Sequence, residues 1–234
     1  MRVKSRKSLA VGLVATLAAL HTVLSFIPGV WRRWSIVLIP LEGFIGGPIA
    51  GFGAALIGSL AGRLLKPDPV LFENLFGLAE AFGALTSGLM VKSRWKPVLA
   101  GYAGLLAAFI ASPNTRSIPL WTLWDVYLAA VLVAPAALCT GRMIRGEQRF
   151  LPPSVTLLSF VAVEFDVLVR IIMFVPLGLF TLYPIPISLL PEIFIAGAFT
   201  TPIEALYAVA VNAIISVPVL LILRRGKILA WPLT

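Results

Sequence analysis

Apolar residues occur along this chain in long runs that short polar stretches separate. The runs cover residues 9–28, 36–47, 48–65, 71–91, 97–112, 122–141, 155–180, 187–200 and 202–223. About 20 helical residues cross the hydrocarbon core of a bilayer, and several of these runs reach that length. The pattern therefore predicts an all-α fold, a polytopic integral membrane bundle of about six to eight transmembrane helices.

The composition points the same way. Hydrophobic residues make up 59% of the 234 residues, charged residues make up 12%, and the mean hydropathy is +1.00. An ordinary soluble domain carries about 25% charged residues. We therefore expect a single transmembrane domain over residues 1–234. Its parts are a first helix over 9–28, a Gly-rich helical hairpin over 36–65 and the remaining helices over 71–223.

The formal net charge of +9 reflects basic residues at the ends of the apolar runs, which is typical of membrane topology and not of nucleic-acid binding. The positive-inside rule then predicts a multi-pass protein of the cell membrane with cytoplasmic N- and C-termini. A signal peptide is the alternative for the first run, but no A-x-A-like cleavage site follows it, which favours a retained helix. The basic clusters are Arg2, Lys4, Arg6 and Lys7; Lys92, Arg94 and Lys96; Arg142, Arg145 and Arg149; and Arg224, Arg225 and Lys227.

The segment 41–65, LEGFIGGPIAGFGAALIGSLAGRLL, is apolar but rich in glycine and alanine. Small residues let helices approach closely inside a bilayer, where apolar burial does not distinguish helix from lipid. Pro48 interrupts the run, so we predict a short helix, a turn at Gly46-Gly47-Pro48 and a second helix. If residues 36–65 cross the membrane twice, the basic clusters at 92–96, 142–149 and 224–227 all lie in the cytoplasm. A single crossing would put all three outside, so the positive-inside rule favours two. Residues 187–200 are read as a separate span, a re-entrant piece or part of one long kinked helix.

Known catalytic signatures are missing from the sequence. It contains no G-x-x-x-x-G-K-[ST], H-E-x-x-H or G-x-S-x-G motif, and it has one histidine, His21, and one cysteine, Cys139. We therefore predict no enzymatic activity, no metal site, no internal disulfide and no cofactor. Among ionisable residues in apolar runs, Asp166 and Arg170 are spaced i, i+4 and are predicted to form an internal ion pair. Asn212 is predicted to form an interhelical hydrogen bond.

The predicted outer loops, PGVWRRWS and PNTRSIPLWTLWDVY, are rich in tryptophan and arginine. Interfacial tryptophans ordinarily form an aromatic belt. The alternative is an external pocket for a small organic ligand with rings or carboxylates. The candidate ligand-binding residues are Trp31, Arg32, Arg33, Trp34, Glu73, Asn74, Asn114, Arg116, Trp124 and Tyr183.

The segment LAVGLVATLAALHTVLSFIPG carries Ala15-x-x-x-Ala19, then an outer loop and the Gly-rich stretch. Over residues 9–92 this order resembles the substrate-binding S-component of energy-coupling factor (ECF) vitamin transporters. A weaker resemblance is found in the C-terminal segment TPIEALYAVAVNAIISVPVLLIL. The resemblance implies capture of a vitamin-like solute from outside. It also implies docking through Ala15 and Ala19 on a transmembrane coupling subunit driven by cytoplasmic ATPases. The family usually has six transmembrane helices, whereas about eight are counted here. An inserted helical hairpin within 97–150 would account for the two additional helices.

Two other classes of function stay open. A membrane-embedded enzyme would need Glu164, Asp166 and Arg170 to converge with Glu73 or Glu80 around one cavity. In a non-catalytic channel or assembly scaffold, the same polar residues would only hold helices together. The position of the largest polar cavity distinguishes these classes: it opens outward for a capture subunit, opens to lipid for an enzyme, and is absent from a scaffold.

Overall fold

The structure is a computed structural model, and it describes residues 2–29, 31–183 and 185–225. Within these ranges the chain is helical, without strands, which confirms the predicted all-α class. Short 3-10 turns join the longer helices. The α-helices are α1 Arg2–Leu24, α2 Ile39–Leu65, α3 Leu71–Leu75, α4 Gly77–Val91, α5 Trp95–Ala111, α6 Trp124–Ile144, α7 Leu151–Phe174 and α8 Leu190–Arg225.

Four of the described helical segments are long and apolar enough to cross a membrane. They are Ile39–Leu65, Glu73–Val91, Leu120–Ile144 and Ile187–Leu223. Two shorter apolar helices, Ala10–Leu24 and Trp95–Ala111, accompany them. These lengths and compositions support a membrane protein with several apolar helices.

The α2 helix is a hairpin that reverses at Gly47. Gly47 has φ 69° and ψ −170°, a backbone conformation that is essentially restricted to glycine. Its two legs, 39–46 and 48–65, then touch: a Cβ atom on Gly51 would lie 2.8 Å from the Cα atom of Gly43. The predicted turn is confirmed. The first leg has eight residues and spans about 12 Å, too short for the hydrocarbon core. All eight are buried, so neighbouring helices shield this leg.

Glycine in α2 permits close contact with α1 and α4. A Cβ atom on Gly58 would lie 2.7 Å from the carbonyl oxygen of Ala18 in α1. On the α4 side, Gly43 contacts the carbonyl oxygen of Ala84, and a Cβ on Gly88 would lie 2.5 Å from the carbonyl carbon of Gly47. Larger side chains at these positions would force the three helices apart, as the small-residue pattern predicts.

When the two legs of α2 are counted separately and α3 is counted with α4, successive helical segments run in opposite directions. Their connections therefore alternate between two ends of the bundle. Gly88 adjoins the Gly47-Pro48 turn, and α7 is antiparallel to α4, because Gly83 contacts Ala162 and Glu80 contacts Arg170. The "turn end" comprises residues 47–48, 92–94 and 145–150. The "loop end" comprises the described residues 25–29, 31–38, 66–70, 112–123, 175–183 and 185–189. The basic clusters at 92–96 and 142–149, and the C-terminal part of α8, lie at the turn end; Lys227 lies outside the described residues.

Residues 187–200 belong to one long helix, α8, which contains Pro202 and Pro218. A proline inside a helix leaves the carbonyl four residues earlier without its backbone donor. For Pro202 that carbonyl belongs to Ala198, and the indole N–H of Trp124 donates to it at 2.9 Å. A side chain from α6 thus replaces the missing hydrogen bond, and the helix continues.

The predicted hydrogen bond of Asn212 is present at the centre of the bundle. Its Nδ2 donates to the carbonyl oxygen of Val37 at 2.7 Å, and its Oδ1 accepts from the hydroxyl of Ser159 at 2.7 Å. α8 is thereby tied to α7 and to the 3-10 turn Trp34–Val37. Tyr102 makes the equivalent link from α5 to α7, donating to the carbonyl oxygen of Val161 at 2.7 Å.

Candidate functional site

A buried charge cluster joins α1, both legs of α2, α4 and α7. Its centre is Glu80, which is fully buried in α4. Oε1 of Glu80 accepts hydrogen bonds from Nη2 of Arg63 at 2.6 Å and from Nη2 of Arg170 at 3.0 Å. Oε2 accepts from the hydroxyl of Ser35 at 2.7 Å and lies 2.7 Å from Nε2 of His21. One carboxylate thus holds four other segments of the chain together.

The cluster extends to two further carboxylates. Nδ1 of His21 lies 2.9 Å from Oε1 of Glu42, so both ring nitrogens face carboxylates, and both donate when the imidazole is protonated. The predicted pair also forms: Nε of Arg170 donates to Asp166 at 2.9 and 3.0 Å. The protonated cluster then has three cations and three anions. Such balance is what permits charges to be buried in an apolar bundle.

Two adjoining cavities lie at the loop end next to this cluster. We call them the apolar chamber, about 220 Å³, and the polar chamber, about 360 Å³. Their walls share Trp31, Arg32, Glu73 and Arg170. The rest of the apolar chamber is lined by Phe76, Thr122, Asp125, Val167, Ile171, Phe174, Ile185, Ile193, Phe194, Gly197, Ala198 and Thr201. The rest of the polar chamber is lined by Ser25, Phe26, Pro28, Gly29, Arg33, Arg63, Lys66, Pro67, Asp68 and Pro69.

Arg32 is held at the shared wall by α8. Its Nε donates to Oε2 of Glu204 at 3.3 Å and its Nη2 to the carbonyl oxygen of Thr201 at 2.8 Å. The preceding Trp31 is also tied to α8, through its backbone N–H to Glu204 at 3.0 Å and its indole N–H to the hydroxyl of Thr200. The loop after α1 is therefore fixed against the N-terminal half of α8.

The structure brings some of the predicted binding residues together. Trp31, Arg32 and Glu73 line both chambers, and Arg33 lines the polar one. Arg33 donates to the carbonyl oxygen of Lys66 at 3.1 Å, and burial and the nearby charge of Arg63 lower its pKa. Trp34 lines a third cavity of about 360 Å³, which shares Arg32 and Arg33 with the polar chamber. Its ring packs edge-on against Tyr207, with ring centroids 5.1 Å apart.

The other predicted binding residues are not in the chamber walls. Asn74 closes a local loop instead, donating to the carbonyl oxygen of Asp68 at 2.9 Å and accepting from its N–H at 2.8 Å. Asn114 donates to the carbonyl oxygen of Val175 at 3.4 Å, which joins two loops. Trp124 supplies the donor for Ala198, and Arg116 and Tyr183 are exposed.

Several wall residues were not predicted as ligand contacts. Arg170 was predicted as half of an ion pair and as a member of the enzyme alternative, and Arg63 was not a candidate for any site. Phe76, Phe174 and Phe194 are ordinary apolar residues in the sequence, and no local signal marks them. Of the groups that an enzyme would need, Arg170 and Glu73 line the chambers, whereas Glu164 and Asp166 do not. Both carboxylate oxygens of Glu164 are buried without a hydrogen-bond partner.

The proposed docking residues on α1 face outward. Ala15 and Ala19 are exposed, and a Cβ atom on Gly12 would meet nothing within 4 Å. The opposite face of α1, with Ala18 and His21, packs on α2. The small residues at positions 15 and 19 are therefore not used to pack α1 inside the bundle.

Among the described residues, no three or more His, Cys, Asp or Glu side chains form a group that could hold a metal ion. No family model, curated protein or solved structure matches the chain.

Proposed function

We propose that this protein is the substrate-capturing membrane subunit of an ECF-type uptake transporter. In this proposal the chambers bind a small, vitamin-like organic solute from outside. A transmembrane coupling subunit docks on α1, and cytoplasmic ATPases drive the transport through that subunit. The observation that carries the proposal is the pair of adjoining chambers at the loop end, walled by buried guanidinium groups and aromatic rings.

The orientation follows from charge. The basic residues Lys92, Arg94, Arg142 and Arg145 lie at the turn end, and the positive-inside rule assigns that end to the cytoplasm. The loop end, with both chambers, then faces outside. A capture subunit needs this arrangement, because its site must be reached by a dilute external solute.

Energy has to come from partners in this proposal, because the sequence has no phosphate-binding G-x-x-x-x-G-K-[ST] motif. The outward face of α1 at Ala15 and Ala19 supports docking there. It is smooth, exposed and not used for packing inside the bundle. In a bilayer such small-residue faces allow a second helix to approach closely.

The membrane-enzyme alternative has less support. It requires Glu164 and Asp166 to converge with Glu73 or Glu80 at one cavity, and neither Glu164 nor Asp166 lines the chambers. The scaffold alternative predicts no cavity among the polar residues, whereas two chambers lie beside the charge cluster. The capture function accounts for both observations.

The test is purification of the tagged protein, in mild detergent, from the cells that naturally make it. We expect a polytopic membrane subunit and P-loop ATPases to co-purify with the parent protein. They should be lost from the double variant Ala15→Trp/Ala19→Trp, which should still fold. The matched control is Ala103→Trp/Ala107→Trp, which places the same bulk on exposed alanines of α5. Retention of the partners by the α1 variant, or their loss from the α5 control alone, would contradict docking through α1.

A further inference from the structure

Two arginines that line both chambers, Arg32 and Arg170, each carry a terminal nitrogen that has no hydrogen-bond acceptor. Nη1 of Arg32 and Nη1 of Arg170 are buried without a hydrogen-bond partner, and the two residues are 5% and 7% exposed. Every other nitrogen of these guanidinium groups is engaged, with Glu204 and Thr201 for Arg32 and with Asp166 and Glu80 for Arg170. Buried donors in proteins are almost always paired. An acceptor is therefore missing at each of these two nitrogens.

We propose that the missing acceptor is the carboxylate of an amphipathic organic acid. Its acid group accepts hydrogen bonds from Nη1 of Arg32 and Nη1 of Arg170, and its apolar body fills the apolar chamber. Guanidinium groups and carboxylates form the shorter, stronger class of hydrogen bond, which favours an acid over a neutral acceptor. The inference rests on the proposed capture function and names the class of solute.

The charges on the wall favour an anion over a cation. Lysine and arginine outnumber acidic residues in the polar chamber, with Arg32, Arg33, Arg63, Lys66 and Arg170 against Asp68 and Glu73. Most of the arginines already pair with carboxylates, so the acid adds hydrogen bonds to donors that have none. An ammonium group at this place would face those same N–H donors and would be repelled.

The size and lining of the apolar chamber define the other half of the ligand. Phe76, Phe174 and Phe194 supply aromatic surface, and Val167 and Ile171 supply aliphatic surface. The chamber volume of about 220 Å³ is roughly seven times the volume that one water occupies in the liquid, about 30 Å³. One ring or a short branched chain fits this space, and a long fatty acyl chain does not.

Three probes of equal length but different head group test the proposal. They are 4-phenylbutyrate, 4-phenylbutanol and 4-phenylbutylamine, measured by ligand-observed NMR on the parent protein in lipid nanodiscs, with empty nanodiscs correcting for partition into lipid. We expect the acid to bind at least about tenfold more tightly than the alcohol or the amine. Equal or tighter binding of the alcohol or the amine, or binding of none, would overturn the proposal.

Two variants test whether Arg32 contacts the acid group, and a long-chain competitor tests the size limit of the apolar chamber. Arg32→Gln should weaken binding of 4-phenylbutyrate about tenfold and leave the alcohol unchanged, whereas Arg116→Gln, on an exposed residue outside the walls, should change neither. Palmitate should not displace the short acid. Tighter binding of palmitate would overturn the small-solute class, since the acid would then come from lipid.

The head-group comparison uses only the parent protein, so it remains decisive if Arg32→Gln fails to fold. Its failure is also distinguishable from failure of the proposed function. Loss of head-group selectivity with partners still co-purifying refutes the ligand class alone. Acid binding without co-purifying partners refutes the role as a transporter subunit.

Discussion

Nε2 of His21 lies 2.7 Å from Oε2 of Glu80, although the two residues are 59 positions apart in the chain. Through this contact the first helix, whose outer face carries Ala15 and Ala19, is joined to the carboxylate that also holds Arg170. Arg170 in turn forms part of the chamber wall. The proposed docking face and the proposed ligand site are thus two hydrogen bonds apart.

Removal of the central carboxylate should destabilise the bundle strongly. Glu80→Ala leaves Arg63 and Arg170 buried without their shared partner, and breaking a buried pair in this way costs about 3–5 kcal/mol. We expect a large drop in the thermal unfolding midpoint of the protein in detergent. The control is Glu147→Ala, whose partner Arg149 is exposed, and it should change stability by about 0.5 kcal/mol or less. Similar midpoints for the two variants would show that the cluster does not support the fold.

Substitution of Gly47 should be costly because of its backbone conformation. Gly47→Ala places a Cβ atom on a residue with φ 69° and ψ −170°, and such strain costs about 1–3 kcal/mol. Gly53→Ala is the matched control in the same hairpin, because a Cβ atom there meets nothing within 4 Å. It should be neutral or stabilising by about 0.5–1 kcal/mol, as for glycine in a helix interior. The thermal unfolding midpoints of the two variants measure these effects. A Gly47→Ala variant with the midpoint of the parent protein would argue against the chain reversal at this residue.

Trp124 and Pro202 should be energetically coupled. Trp124→Phe leaves the carbonyl oxygen of Ala198 without a donor, which should cost about 1–3 kcal/mol. Pro202→Ala restores a backbone N–H that can donate to the same carbonyl. In the double variant, the loss caused by Trp124→Phe should therefore be mostly recovered. A double-mutant cycle of unfolding midpoints checks this, and strict additivity of the two changes would contradict the proposed compensation.

Trp31 should contribute to ligand affinity, whereas Trp124 should not. Trp31 lines both chambers, and loss of a stacking aromatic costs about 1–3 kcal/mol by analogy with aromatic stacking on bases. Trp31→Ala should therefore weaken binding of 4-phenylbutyrate by roughly 5- to 150-fold. Trp124→Ala, outside the chamber walls, should lower stability but retain affinity. Parent-like affinity in Trp31→Ala would place the ligand elsewhere.

The orientation can be measured by cysteine labelling in whole cells. In a Cys139→Ser background, Arg116→Cys at the loop end should react with an impermeant maleimide added outside. Arg145→Cys at the turn end should react only after the membrane is permeabilised. Both arginines are exposed, so access to the reagent is matched. Labelling of Arg145→Cys in intact cells would invert the proposed topology.

Local patterns were enough to predict several features of this fold. Runs of apolar residues predicted the helices, and Gly46-Gly47-Pro48 predicted the chain reversal. The i, i+4 spacing of Asp166 and Arg170 predicted their ion pair. Each depends on residues that are close in the chain. The geometry of one helix or one turn then determines the result without knowledge of the neighbours.

The charge cluster and the chambers depend on distant residues and were not predictable in this way. His21, Arg63 and Glu80 come from three helices, and nothing local indicates that they meet. The choice among the three alternatives for residues 187–200 also depended on a distant residue. The donor that compensates for Pro202 comes from Trp124, 78 positions earlier in the sequence. Tertiary contacts decide such features.

The helices of this bundle differ greatly in length, and a surrounding bilayer must accommodate the difference. The 36 residues of α8 extend about 54 Å, whereas the 17 residues of α5 extend about 26 Å. A hydrocarbon core of about 30 Å matches neither. In a bilayer of that thickness the long helix would tilt or project beyond the membrane, and α5 would span it only with thinned lipid or flanking side chains that reach to the interface. Membrane thickness is therefore a variable that should act on this protein directly, with thinner bilayers relieving the mismatch at α5.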